Sequence, residues 1–280
     1  MTSHTTAVGR PGHLAVARLA GRTASNPGLR GLSGVLIALA AWEAASRTGL
    51  LDARFAPPPT LVLPRAATLL TEPDLLDGLW LTVTTWLAGL AIATAIAISV
   101  GAVLGATPAL ERAARPLIET ARPIPAVALL PVVTLLAGMD AGNRTGLVAF
   151  ASSWPILLNT IAGVRACDPA LLDMARLHGH RRTSILATVR LPAAAPLIAT
   201  GLRISTAIAL IATISLELVT GTDEGLGGYL ALVAAGGNDP AAALGVTVLA
   251  GLLGLAINSA TAAAERRVFA WHPAHIRAAS

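Results

Sequence analysis

From Leu79 to Thr107 the chain runs without a charged residue. A stretch of that length and apolarity has no polar face to offer water. About 20 such residues match the hydrocarbon thickness of a bilayer, so the run reads as a membrane-spanning helix. Uncharged runs recur at Thr145–Val164 and Ala241–Ala264. Only 12% of the residues are charged, about half the share of a soluble domain. The 280 residues allow one helical membrane domain and no large soluble domain beside it.

The order of the chain suggests six spans, at about 31–46, 79–107, 116–139, 145–164, 192–220 and 241–264. They lie within a transmembrane domain of residues 31–265, between tails at 1–30 and 266–280. The N-terminal tail carries Arg10, Arg18, Arg22 and Arg30 and no acid, with a choice between a plain tail and a short surface helix around His13–Leu19. It reads as a cytoplasmic segment and not as a signal peptide. The loop from Arg47 to Asp77 holds Pro57, Pro58, Pro59 and Pro64, which predicts an extended piece followed by a short helix from Pro64 to Leu70. Pro108 to Arg115 reads as a short turn. The third span is broken by Pro116, Pro123, Pro125 and Pro131, a density tolerated where a helix faces protein or a watery cavity. Residues Gly221 to Pro240 read as an outer loop.

Charge orients these segments. With the N-terminus inside, the inner segments carry 4, 2, 5 and 3 arginines and the outer ones 3, 1 and none. That asymmetry is the positive-inside rule, and it places both termini in the cytoplasm. The sequence pI of about 11.1 invites a nucleic-acid reading. A net charge of only +5, with arginines at span ends, argues against it. A single cysteine, Cys167, excludes an intrachain disulfide and any multi-cysteine metal site. The six histidines all lie outside the expected spans, so no intramembrane Ser–His chemistry is available and the chain is not expected to be an enzyme.

The most charged internal stretch is Asp173–Pro192, DMARLHGHRRTSILATVRLP, within a cytoplasmic loop at 165–191. A helix from about Pro169 to Leu177 should end at Gly179, which can take the left-handed conformation of a helix stop. Arg181–Arg190 should form a second short helix, and Pro192 should open the next span at its first turn. The result is a two-helix elbow projecting into the cytoplasm.

The spacing in this elbow is Asp173-Met174-Ala175, three residues, Gly179, nine residues, Val189, one residue, Leu191-Pro192. It resembles the cytoplasmic EAA signature of ABC importer permeases: Glu-Ala-Ala, three, Gly, nine, Ile, one, Leu-Pro. Pro57–Pro64, Leu79–Gly105, Ala121–Ala126, Leu158–Thr160, Gly163–Arg165, Gly201–Arg203, Glu217, Gly225–Gly227, Glu265–Arg267 and Trp271 are similar to the nitrate/sulfonate/taurine branch of these permeases. The similarity spans roughly residues 55–272. One departure is Leu135–Asp140, LLAGMD, where the family often carries an aromatic followed by Phe-Gly.

The resemblance implies the type I importer fold in the cytoplasmic membrane. It also implies a second permease subunit, expected to be an identical copy, ATP-binding cassette subunits, and a periplasmic or lipoprotein solute-binding protein. Asp173, Met174, Ala175, Gly179, Val189, Leu191 and Pro192 would couple to the ATPase. The chain has no lysine and so cannot carry the P-loop Lys that reaches the phosphates. ATP and Mg would be used by the partner, with no cofactor or metal held here. Arg122, Asn159, Arg203 and Glu217 are candidates for the translocation path or a gate, since polar groups within spans are functional candidates by default. The competing reading is an ion-coupled secondary transporter, which would want midplane ionisable groups and an internal inverted repeat.

Overall fold

The computed structural model describes residues 27–138, 140–220, 224–237 and 239–268. The expectations for the tail at 1–26, for Met139 and for Trp271 lie outside them. All regular structure among the described residues is helical. We label the helices α1 (Pro27–Arg47), α2 (Pro59–Leu69), α3 (Pro73–Ala106), α4 (Pro108–Ala121), α5 (Ala126–Ala137), α6 (Ala141–Arg165), α7 (Pro169–Leu177), α8 (Arg182–Thr220), α9 (Gly225–Gly236) and α10 (Pro240–Val268). Proline opens α1, α2, α3, α4, α7 and α10, where its missing N–H would have had no intrahelical acceptor.

The chain divides into two compact units, one ending at Pro64 and one beginning at Arg65. In the first, Glu43 near the end of α1 pairs with Arg47 and accepts the Thr60 backbone N–H at 3.1 Å. This ties the end of α1 to the start of α2. Leu32, Val35, Leu36 and Ile37 of α1 are exposed, and α1, expected as the first span, is not among the helices long and apolar enough to cross a membrane.

In the second unit, α3, α6, α8 and α10 are long and apolar enough to cross a membrane. The pair α4 and α5, bent by 90°, makes a fifth crossing if taken as one span. Within a bilayer no hydrophobic force presses helices together, so small residues that permit close approach carry the packing. A Cβ on Gly89, Gly101 or Gly105 would stand 2.6 to 2.8 Å from side-chain atoms of Val148, Thr160 and Val164 respectively. The partners keep one constant offset in sequence. Helices α3 and α6 therefore run parallel and in register. The chain between Thr107 and Asp140 must return along the whole length of that pair. Gly163 meets Ala194 and Gly201 meets Ile156, so α8 runs antiparallel to α6. Leu90, Ala97, Leu104, Val148, Ile156, Ile161 and Leu216 fill the core between these three helices. Helix α10 stays more peripheral, with Leu252 and Leu255 exposed.

Four local features differ from the sequence expectation. Helix α2 starts at Pro59, with Pro64 inside it, because Pro57 and Pro58 precede the helix instead of interrupting it. Helix α4 starts at Pro108 and passes through Pro116. The break falls at Arg122–Pro125, where Pro123 and Pro125 remove two donors within three residues. The expected outer loop at 221–240 contains the apolar helix α9. Finally, no break precedes Pro192, and α8 is continuous from Arg182.

Candidate functional site

The elbow is built from its caps. Asp168 accepts the Ala170 N–H at 2.9 Å and starts α7, with Pro169 in the first turn. At the other end the Gly179 N–H reaches the Arg176 carbonyl (2.9 Å) and the His180 N–H reaches Ala175 (3.2 Å). Those two bonds are the Schellman pattern, and Gly179 sits at φ +76°. A Cβ there would meet no atom within 4 Å, so the demand for glycine is conformational and not steric. Asp173 pairs with Arg176 at 2.7 Å on the open side. Ala175 and Ile185 are buried, while Leu171, Met174 and Leu177 are exposed, Leu177 at 88%.

The second arm is the start of α8. Residues Leu186–Arg190 form a π turn, in which the Leu191 N–H bonds the Leu186 carbonyl five residues back. Pro192 follows directly and lacks an N–H, so the wider turn falls where an α ladder would lose a rung in any case. Val189 and Leu191 are half-buried and Pro192 is exposed. Arg190 extends toward the Ala106 carbonyl at the end of α3 (3.5 Å), a favourable place for a cation at a helix C-terminus. Beside it, buried Glu111 of α4 pairs with Arg165 at the end of α6 (3.0 Å). The elbow therefore joins the ends of α3, α4, α6 and α8.

The remaining candidates separate into three places. Arg203 pairs with Glu265 of α10 at 3.3 Å and ties α8 to α10. Glu217, 2% exposed, accepts the Thr82 hydroxyl (2.8 Å) and the Gly227 N–H (3.0 Å). Thr82 in turn accepts the Leu226 N–H at 2.8 Å. A carboxylate thus receives the first turn of α9, the polarity that a helix N-terminus favours. Arg144 of α6 pairs with Glu224, the residue before α9. Arg122 and Asn159 line one cavity of about 630 Å³ at the α4–α5 bend, with Trp154, Pro155, Ile204 and Ile208. Because Ala151–Asn159 lie at the middle of α6, the cavity lies at its mid-length.

Sequence reasoning missed Thr82, Arg144 and Glu224 as partners at the α9 end, and Trp154 as a wall of the cavity. It also missed a cluster beside α9. Arg65 bonds Asp239 (2.7 Å) and Glu72 (2.8 Å), and the Tyr229 hydroxyl donates to Glu72 (2.6 Å). The Tyr229 bond and then the Arg65 guanidinium hold the Glu72 carboxyl below its usual range. For Asp239, burial pushes upward, but Arg65 and the Ala242 N–H outweigh it and the carboxyl is also held low.

The arrangement contains a solvent-facing elbow on a bundle with a half-open cavity at its mid-length, and the chain's relatives are transport proteins. SsuC of Escherichia coli (strain K12), named as an aliphatic sulfonates transport permease protein, is 30% identical over 237 residues, 85% of this chain and 89% of that protein. TauC of the same organism, the taurine transport system permease protein, is 27% identical over 241 residues, covering 84% and 87%. The fold matches the MetNI methionine ABC transporter in an inward-facing conformation, with a TM-score of 0.62 at 20% identity over 70% of this chain and 96% of that one. The architecture is that of type I ABC importer permeases, multi-pass in the cytoplasmic membrane. The model of the family described as binding-protein-dependent transport system inner membrane component matches residues 93–270, and the chain belongs to that family.

Proposed function

We propose that the chain works as one half of the membrane part of an ATP-driven importer, paired with a second copy of itself, with both ends in the cytoplasm. Membership of the family supports ATPase and solute-binding partners and does not favour an ion-coupled carrier. ATP and Mg act in the partner subunit. The cargo is a small solute such as a sulfonate, nitrate or taurine; relatives are named for aliphatic sulfonates and for taurine.

The observation that carries the coupling role is the Schellman stop at Gly179. It turns the chain sharply after a short, water-facing helix whose outward side shows Leu171, Met174 and Leu177. In this reading Asp173, Met174 and Gly179 meet the ATPase. Ala175 packs inward, and Val189, Leu191 and Pro192 pass the motion into α8. Arg122 and Asn159 face the solute route, whereas Arg203 and Glu217 act as helix ties near its two ends.

The test is Gly179→Val in the reconstituted complex of permease, ATPase and binding protein. A β-branched residue resists positive φ by about 1–2 kcal/mol, so the elbow should distort while membrane insertion persists. Solute-stimulated ATPase activity and uptake should both fall. Unchanged stimulation would overturn the coupling role.

A further inference from the structure

The cavity at the α4–α5 bend has a plain chemistry. Ile124, Leu158, Ile204 and Ile208 supply apolar wall, and its polar groups come from Arg122, Trp154 and Asn159. Among the described residues, no carboxylate lines it. Arg122 has no ion-pair or side-chain hydrogen-bond partner among the described residues, whereas Arg65, Arg144, Arg165 and Arg203 each hold a carboxylate. The Trp154 indole N–H is buried without an acceptor. Asn159 has its amide N–H committed to the Pro155 carbonyl at 2.8 Å. Arg122 is exposed, and an unpaired guanidinium at the mid-length of a membrane bundle is costly unless it faces water or an anion. Its planar donors match an oxyanion head group. An apolar cavity with a few convergent donors is the usual form of a small-molecule site.

We infer that this cavity is a solute site on the translocation route, that it takes a small monoanion with an apolar tail, and that it discriminates against zwitterions. The Arg122 guanidinium meets the anionic head, and Ile124, Ile204 and Ile208 face the tail. A solute that also carries an ammonium group finds no carboxylate to pair with and would leave that charge desolvated. The inference rests on the import reading and narrows its cargo by charge type and shape, leaving out zwitterionic taurine and tailless nitrate. Sulfonate and carboxylate heads share the required chemistry.

The experiment titrates the complex of this chain with its ATPase subunits, in nanodiscs without binding protein, against pentane-1-sulfonate, hexanoate and taurine. At least one of the two apolar-tailed anions should bind saturably, and the stronger one identifies the head group. Taurine should bind at least about tenfold more weakly than that anion. Arg122→Gln should weaken it by about tenfold or more, the scale of one lost charge-assisted hydrogen bond. Taurine binding as tightly as the better anion, or an Arg122→Gln affinity within about twofold of the parent, overturns the proposal. Should Arg122→Gln fail to assemble with the ATPase, the selectivity of the parent for the apolar-tailed anion over taurine decides. Absence of ATP-dependent uptake by the complete parent system would overturn the import reading alone, since the titration does not depend on it.

Discussion

The Glu217 carboxylate and the Gly225 backbone leave no space for a methyl group between them. A Cβ on Gly225 would stand 2.3 Å from the Glu217 carboxyl carbon, and Gly225 already sits at φ +83°. Both the contact and the dihedral exclude other residues. Gly225→Ala should therefore destabilise the start of α9 by at least about 2 kcal/mol, combining left-handed strain with displacement of the Glu217 carboxylate from its bonds to Thr82 and the Gly227 N–H. A lowered melting temperature of the detergent-solubilised permease checks this. A melting temperature equal to the parent's would mean that α9 is not seated on Glu217.

Leu177 gives the opposite expectation. At 88% exposure it contributes little to the fold, so Leu177→Asp should leave the melting temperature within the small range of surface substitutions. If its side of α7 is the ATPase contact, loss of the apolar anchor should cost about 2 kcal/mol of binding. The ATPase recovered with affinity-purified permease should fall accordingly. Equal recovery would remove Leu177 from the interface.

The close seam between α3 and α6 predicts a third effect. At Gly101 a Cβ would lie 2.7 Å from Thr160 Cβ and 3.0 Å from the Leu157 carbonyl. Gly101→Val should part the two helices and cost about 1–3 kcal/mol. Gly146→Ala has open space around its Cβ and should be silent by the same thermal measurement.

Acid should loosen the cluster around Arg65. Glu72 is held below its ordinary range by the Tyr229 hydroxyl and by Arg65, so the unfolded chain binds a proton there more readily than the folded one. Its stabilisation is complete above the unfolded carboxyl range of about pH 4.3 and is lost as pH falls through the lower folded value. Both partners are partly open to water, so the contribution is under about 1 kcal/mol. The melting temperature should be flat from neutral pH to about 5 and decline below that. Glu72→Gln should lower the neutral plateau and flatten the acid limb. An unchanged acid limb in that variant would show that Glu72 is not responsible.

The parts of this structure that could be read from sequence are those that local chemistry decides. Gly179 stops α7 because a left-handed residue was needed two positions past the last helical one, and glycine provides it. Uncharged runs became helices, and proline marked where several begin. The missed parts depend on distant partners. Nothing near Glu217 in the chain announces Thr82, which lies on another helix. Helix α9 was hidden by the acids on either side of it, although its own stretch, LGGYLALVAA, is apolar throughout. The 90° bend could be expected somewhere among Pro116, Pro123 and Pro125. Only packing chose the last two and thereby carried Arg122 to the mid-length of the bundle. Pro192 does stand in the first turn of the α segment Leu191–Thr220, but nothing in the sequence announces the π turn that joins that segment to Arg182–Ile185.

The π turn also sets a direction. A π turn accommodates one surplus residue, and each residue of an α-helix advances the azimuth by about 100°. The face of α8 that carries Arg181–Ile185 is therefore rotated by roughly that angle from where an unbroken α ladder through Pro192 would put it. The direction in which the elbow points out of the bundle is set by a single amino acid of surplus length, as the keying of a shaft sets the angle of its crank.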